Sequence, residues 1–176
     1  MRKIVFWLAL LVLVIVGLSC TALVADAGPS SVDDSVFKLS IHTDKNEYTA
    51  GETVSCYATL EYVGEAESIT IYSGDPLVYF TIQGGKFTGD YAISDVLMST
   101  TFKKNEPMRF DFAKSGGYSA DDADAAFWES WYAEPELVLP AGEYTISATV
   151  DGFFDENDYA GSKYTLTAAQ TISVTP

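Results

Sequence analysis

The sequence is poor in the residues that commonly serve enzymes as nucleophiles, bases and metal ligands. Its 176 residues include one histidine, His42, and two cysteines, Cys20 and Cys56. There is no G-x-S-x-G elbow, no H-E-x-x-H pair and no glycine loop of the kind that holds phosphate. His42 is predicted to point outward and Cys56 inward, so the two side chains do not meet. An enzyme would need a site built from carboxylates alone, and we therefore expect a protein without catalytic activity and without a cofactor.

Basic residues are also few. Lysine and arginine number 10 against 25 aspartates and glutamates, which gives a formal net charge of −15 at pH 7. A protein with this net negative charge repels nucleic acid and anionic lipid surfaces, so neither is an expected partner. Acidity of this kind commonly serves solubility.

The N-terminus carries a hydrophobic run. Arg2 and Lys3 precede uncharged apolar residues from 4 to 18, and alanines occupy positions 25 and 27. This arrangement is typical of a secretory signal, and the run is shorter than the ~20 residues of a membrane-spanning helix. We therefore predict a signal peptide over residues 1–27, cleaved after Ala27, and a protein that is secreted or held at the cell surface.

Two alternatives concern the same segment. Residues 17–20, Gly-Leu-Ser-Cys, resemble the lipobox of bacterial lipoproteins, although Leu18 lies one place later than that box prefers. Lipidation of Cys20, or retention of the segment as an anchor, would attach the domain to a membrane. Cleavage after Ala27 leaves Cys56 as the lone cysteine. No internal disulfide can then form, and stability must come from packing.

The stretch from Thr43 to Gly64 has the clearest secondary structure, because its apolar and polar residues alternate as in a strand buried on one face. The face predicted to be buried consists of Val54, Cys56, Ala58, Leu60 and Tyr62. Further strands are predicted over residues 36–42, 68–72, 77–83, 96–102, 107–112, 143–150 and 164–174, with a long connection over 86–95. The inward side chains of the 107–112 strand are predicted to be Met108, Phe110 and Phe112.

These strands predict one all-β domain. Short strands with frequent turns and one short inserted helix favour an immunoglobulin-like two-sheet antiparallel sandwich of about seven to nine strands over a barrel. The sandwich is predicted to cover residues 36–176, after a flexible lead-in over 28–35.

One segment, residues 119–132, has helical character. Ser119 is expected to cap the helix, aspartates lie in its first turns, and Pro135 follows its end. Helical spacing places Trp128 above Trp131 and Tyr132.

The aromatic rings of this helix have two interpretations. They either complete the core at one end of the sandwich or face solvent beside Tyr118, as a patch for a protein strand or a sugar. The candidate binding residues are Tyr118, Trp128, Trp131 and Tyr132. If they bind a partner, the loops over residues 84–95 and 118–132 are expected to form the recognition surface.

Acidic loops raise the possibility of calcium, for which Asp151, Asp155 and Asn157 are the candidate ligands. The spacing departs from an EF-hand, because Gly161 comes at the seventh place counted from Asp155 and no glutamate follows at the twelfth. We therefore expect solvated loops and no metal, with a calcium-stabilised surface module as the alternative.

Two short patterns resemble immunoglobulin-like modules. The run D-K-x-x-Y-x-x-G-E-x-V over residues 44–54 resembles the opening of macroglobulin-type and other bacterial immunoglobulin-like modules, and it implies a fold without an activity. Gly142, Tyr144 and Ile146 resemble a tyrosine corner in which Ile146 replaces the usual cysteine. Cys56 lies on the strand that would carry the partner of that cysteine.

A second resemblance is to the BsuPI-type bacterial proteinase inhibitors, which are also sandwiches. It is carried by residues 63–64, 68–71, 75–80 and 139–145 and covers about half of the chain after residue 27. It implies proteinase inhibition but supplies no reactive-site residue. We predict an exported, non-catalytic binding or structural module at the cell surface, whose partner is another protein or a cell-envelope component. A secreted inhibitor is the alternative.

Overall fold

The structure is a computed structural model that describes residues 28–176. The predicted signal peptide over residues 1–27 and the candidate lipidation residue Cys20 lie outside the described residues. Within them, no helix has the length and apolar character that a membrane span requires.

Residues 28–176 contain eleven strands and one helix. The elements are β1 (Ser30–Asp33), β2 (Phe37–Thr43), β3 (Glu47–Thr49), β4 (Cys56–Tyr62), β5 (Ser68–Asp75), β6 (Val78–Gly84), β7 (Phe87–Thr88), β8 (Ser94–Lys103), β9 (Met108–Asp111), α1 (Ala125–Ala133), β10 (Gly142–Phe153) and β11 (Lys163–Thr175). All eight strands predicted from the sequence are present. The three additional strands, β1, β3 and β7, are short.

The strands form two packed sheets, which confirms the all-β sandwich. One sheet has the order β1-β2-β4-β9, and the other has the order β3-β11-β10-β5-β8, with β6 also beside β10 and β7 beside β6. The long pair of β10 and β11 runs from Gly142↔Val174 to Phe153↔Lys163. One pair, β3 with β11, is parallel and departs from the antiparallel prediction.

The alternation of apolar and polar residues determines which side chains meet between the sheets. Every second residue of β4, from Cys56 to Tyr62, is buried, as predicted, and β10 repeats this pattern from Tyr144 to Val150. The largest fully buried side chains are Phe37, Phe102, Leu39, Ile41, Leu60, Ile71, Leu139, Ile146, Ile172 and Val150. Burial of this apolar surface is the main stabilising contribution, at roughly 25 cal/mol per Å².

The prediction of a flexible lead-in over residues 28–35 is wrong in its central part. Residues 30–33 form β1 and pair with β2 from Ser30↔Ile41 to Asp33↔Lys38. The carboxylate of Asp34 accepts hydrogen bonds from the N–H groups of Val36 and Phe37, both at 3.0 Å, and so fixes the turn into β2. The side chains of β1 are mostly exposed, so its pairing rests on the backbone and leaves no apolar pattern.

Two further predictions are corrected. The connection over residues 86–95 contains β7, which pairs with β6, and it buries Phe87. Met108 pairs with the buried Leu60 and so lies on the predicted inner face, but it is 38% exposed, whereas Phe110 and Phe112 pack against the core. β9 is the outer strand of its sheet, and its first residue therefore lies where the opposite sheet gives little cover.

The D-K-x-x-Y-x-x-G-E run has a physical role in this fold. The chain leaves β2, crosses to the other sheet to form β3, and returns to form β4. The carboxylate of Asp44 accepts hydrogen bonds from the Tyr48 hydroxyl (2.6 Å) and from the N–H of Ser55 (3.0 Å). The Tyr48 ring is 2% exposed. Asp44 and Tyr48 thus hold the start and the end of the crossing together.

The other residues of this run make contacts within the same loop. Lys45 pairs with Glu52, and the second carboxylate oxygen of Glu52 accepts the N–H of Thr49 at 3.1 Å. Gly51 lies between them with a φ of 88°, in the left-handed region that favours glycine. These contacts are all internal to the loop, so the run stabilises the crossing.

Tyr48→Phe tests this crossing. The substitution keeps the buried ring but removes the hydroxyl that donates to Asp44, so we expect the free energy of unfolding to fall by about 1–2 kcal/mol. Urea unfolding followed by far-UV circular dichroism measures it. Tyr118→Phe is the control, because that ring is 42% exposed and its hydroxyl is free to bind water. Equal stability of the two variants would contradict the assigned role.

Candidate binding cleft

The helix α1 begins later than the sequence predicts. Its N-cap is Asp124, which makes no side-chain cap hydrogen bond, and no acidic residue lies in its first turn. Ser119 instead belongs to a preceding turn, in which its carbonyl accepts the N–H of Asp122 at 3.0 Å. The aspartates compete for local backbone N–H groups, as in the 2.8 Å bond from Asp124 N–H to the Asp122 carboxylate, and this delays the helix. The end of the helix before Pro135 is as predicted.

A lysine from outside the helix holds its C-terminal end. Lys114 Nζ donates to the carbonyl oxygens of Trp131 (2.7 Å) and Glu134, which have no partner further along the helix. A cation at this end also interacts favourably with the helix dipole. Burial lowers the pKa of Lys114, and the nearby Glu134 and Glu136 oppose that shift.

Phe87, from β7, is the centre of an aromatic cluster between α1 and the seven-stranded sheet. Its ring centroid lies 4.7 Å from that of Trp131, 5.4 Å from Trp128 and 5.9 Å from Phe127, each pair edge to face. It also meets Tyr144 edge to face at 5.8 Å. The Tyr144 hydroxyl donates to the carbonyl of Pro140 at 3.0 Å, which is the bond expected of a tyrosine corner. α1 is therefore fixed to the start of β10 through aromatic contacts.

An open cleft of about 240 Å³ lies beside this cluster, between α1, β7 and the segment over residues 112–117. Rings form much of its wall, contributed by Phe80, Phe87, Phe112, Trp128, Trp131 and Tyr132. Charged residues also line it: Lys86, Asp90, Lys114, Asp122 and Asp124. We call this feature the aromatic cleft.

The four candidate binding residues take different positions at the aromatic cleft. Trp131 is 8% exposed and belongs to the core, whereas Trp128 and Tyr132 are half-buried and line the cleft. Tyr118 is 42% exposed and stacks on Tyr132 with ring centroids 5.9 Å apart. Trp131 is therefore a core ring, whereas Tyr118, Trp128 and Tyr132 are partly or largely exposed.

Tyr132 connects the helix to the loop that faces it. Its hydroxyl donates to the carbonyl of Ser115 at 3.3 Å. Burial raises the pKa of Tyr132, and the negative charge of Asp90 raises it further. Tyr132 therefore stays neutral at physiological pH, and Asp90 is near enough to act on it electrostatically.

The two loops expected to form a recognition surface lie side by side. Lys86, in the first, makes an ion pair with Asp124, in the second. Asp90 accepts a hydrogen bond from the Thr88 hydroxyl at 2.8 Å. Within residues 28–176, neither Asp90 nor Asp122 makes an ion pair. The cleft therefore has two carboxylates without a cationic partner in the described part of the chain.

The candidate calcium ligands make contacts within the chain. Asp151 lies 3.7 Å from Lys163 Nζ, and Asp155 accepts the N–H of its neighbour Asn157 at 2.9 Å. No group of three acidic, histidine or cysteine side chains in the described range is placed to hold a metal ion.

His42 and Cys56 lie on opposite faces of the four-stranded sheet, in agreement with their predicted directions. The His42 ring stacks on Tyr57 with centroids 4.4 Å apart, and its Nε2 lies 3.1 Å from the Thr59 hydroxyl. Cys56 is 8% exposed, and burial raises the pKa of its thiol to about 12. The thiol is therefore protonated at neutral pH and behaves as a small apolar group.

The sequence analysis did not single out Phe87, Asp90 or Lys114 as residues of the aromatic cleft, although Phe87 and Asp90 lie in the expected recognition loop over residues 84–95. Phe87 lies in a stretch with no periodicity, and Lys114 follows a strand that ends before it. Asp90 has no acidic neighbour that would draw attention to it. The two glycines at 84 and 85 indicate a turn at which β6 could reverse into another strand, and this is the one signal that favours an inward Phe87.

Comparisons with known proteins give no family for this chain: no protein-family model matches it, and no curated protein matches it.

Trp131→Ala and Tyr118→Ala separate core rings from surface rings. Trp131 is buried against Phe87, so its truncation is expected to lower the free energy of unfolding by about 3–5 kcal/mol. Tyr118 loses only one stacking contact, which contributes about 1 kcal/mol. Urea unfolding followed by circular dichroism measures both changes. A larger loss for Tyr118→Ala than for Trp131→Ala would show that the assignment is reversed.

Proposed function

We propose that this chain is an exported, non-catalytic immunoglobulin-like module that binds a partner protein at the cell surface through the aromatic cleft. The observation that carries the proposal is an open cleft with half-buried rings in its wall and charged groups around them. Tryptophan and tyrosine provide large contact areas at a low cost in side-chain entropy, and they are enriched at binding surfaces.

The size of the cleft favours one side chain over a whole small molecule. Clefts that enclose a drug-sized ligand usually measure about 300–1,000 Å³, and the aromatic cleft has about 240 Å³. A single side chain of a partner could fill it while neighbouring partner residues contact Tyr118 and the loop over 86–90. The rings that line it are tied to the sheet through Phe87, so the cleft exists before a partner arrives.

The alternatives have less support. Seven of the nineteen residues that carry the resemblance to BsuPI-type inhibitors are buried, among them Leu77, Phe80 and Tyr144. These seven contribute to packing, and the resemblance supplies no reactive-site residue. In the acidic loop after β10, the carboxylates of Asp155 and Asp158 accept backbone N–H groups of that same loop, which orders it without a cation.

Site-specific photo-crosslinking, with and without the substitution Gly117→Trp, tests the proposal. The full chain is expressed in the cells that export it, with a photoreactive phenylalanine analogue in place of Tyr118. We expect one discrete protein adduct after irradiation. Gly117 lines the cleft, a Cβ added to it would meet no atom within 4 Å, and its φ is an ordinary one. Tryptophan there should therefore block the cleft without disturbing the fold, so that the adduct is lost while the melting temperature stays the same.

The control position is Tyr159, which is 55% exposed in the loop after β10. Phe87, which lines the cleft, packs on Tyr144 near the start of the twelve-residue β10, so this loop lies at the far end of a strand about 40 Å long. No adduct is expected there. An adduct at position 118 that persists in Gly117→Trp, or that forms equally at position 159, would contradict the proposal.

A further inference from the structure

The charges around the aromatic cleft do not cancel. Lys86 is paired with Asp124, and Lys114 is directed to the carbonyls at the end of α1. Asp90 and Asp122 remain as carboxylates without an ion-pair partner in residues 28–176. Removing residues 1–27 from the count leaves 8 basic and 24 acidic residues, a formal charge of −16. The local and the overall fields therefore both attract a cation.

The two carboxylates are held in place. Asp90 accepts a hydrogen bond from Thr88 at 2.8 Å, and Asp122 accepts the N–H of Asp124 at 2.8 Å. Each carboxylate has two oxygens and can accept several hydrogen bonds, so both retain acceptor capacity for a ligand. A cation that enters the cleft therefore meets acceptors that are already oriented.

The ring faces provide the second attraction. An ammonium or guanidinium group over an aromatic face is stabilised by the ring quadrupole. This end of the molecule already shows two such contacts within the chain: Lys114 Nζ lies 3.9 Å from the Trp131 ring centroid, and Lys86 Nζ lies 5.6 Å from that of Phe127. Trp128 and Tyr132, which also line the cleft, are half-buried and accessible to a ligand.

We infer that the aromatic cleft takes a lysine or arginine side chain from a basic segment of its partner protein. This inference rests on the proposed function and adds the chemistry of the occupant. A long aliphatic stem suits the ring faces in the wall, and a charged head suits the carboxylates of Asp90 and Asp122, which also line the cleft. A neutral sugar or a purely apolar side chain would make no use of these two charges.

Four short, capped, uncharged peptides that differ at one central position test the inference: lysine, arginine, norleucine and glutamate. Norleucine keeps most of the lysine stem and removes the charge. The full chain is labelled with ¹⁵N, and the tryptophan indole N–H resonances are followed as each peptide is added. We expect the lysine and arginine peptides to shift these resonances with millimolar affinity. We expect the norleucine and glutamate peptides to bind at least fivefold more weakly.

Variants that remove carboxylate charges test whether Asp90 and Asp122 bind the lysine peptide. Asp90→Asn combined with Asp122→Asn should weaken binding of the lysine peptide roughly tenfold, whereas Asp155→Asn, in the loop after β10, should leave it unchanged. Raising the salt concentration should weaken binding, because ions screen exposed charges. Gly117→Trp should abolish it. Each variant is checked for an unchanged melting temperature.

The outcomes separate the inference from the proposed function. Equal binding of the norleucine and lysine peptides would overturn the inference, while a cleft-dependent adduct at position 118 would still support the proposed function. Absence of binding by all four peptides at 10 mM, or an equal effect of Asp155→Asn, would also overturn the inference. Absence of an adduct at position 118, or an adduct there that persists in Gly117→Trp, would remove the proposed function and the inference together.

Discussion

Packing between the inner faces of the two sheets is the interaction on which the rest of this molecule depends. Phe37, Leu39 and Ile41 of β2 are completely buried, as are Ile146, Ala148 and Val150 of β10. No disulfide joins the sheets within residues 28–176, since Cys56 is a free, buried thiol there. The apolar contact therefore carries the stability that a crosslink supplies in disulfide-bonded domains. The crossing held by Asp44 and Tyr48 adds a polar connection at one edge.

The aromatic cleft exists because the helix α1 covers one end of the core. A nine-residue helix such as α1 is marginal on its own in water, because its few hydrogen bonds hardly repay the cost of nucleation. It persists because its rings surround Phe87 and because Lys114 binds its last carbonyls. A helix of nine residues is too short to bury all of its large aromatic rings completely. Trp128 and Tyr132 are therefore left half-buried, and the same residues that stabilise the helix line the cleft.

The parts of the fold that could be predicted are those in which local pattern and tertiary burial agree. The alternation of β4 and β10 predicts their buried faces, because each has one face against the core. β1 carries no such signal, since its side chains are exposed and its pairing is made by the backbone. Met108 has the right period but lies at an edge. The parallel contact of β3 with β11 joins residues far apart in sequence, and no local pattern encodes it.

The candidate site shows the same division. The cluster of Trp128, Trp131 and Tyr132 could be predicted because its members are neighbours on one helix. For Phe87 and Asp90 only the loop over residues 84–95 could be predicted, and Lys114 could not be predicted at all, because these residues reach the cleft from other parts of the chain. Those distant residues complete the lining: Phe87 packs against the rings, Lys114 directs its ammonium group to the last carbonyls of α1, and Asp90 adds a carboxylate. Binding to a site that is already ordered costs less conformational entropy than ordering it afresh, so the contacts that stabilise this end of the sandwich are consistent with the binding role proposed for it.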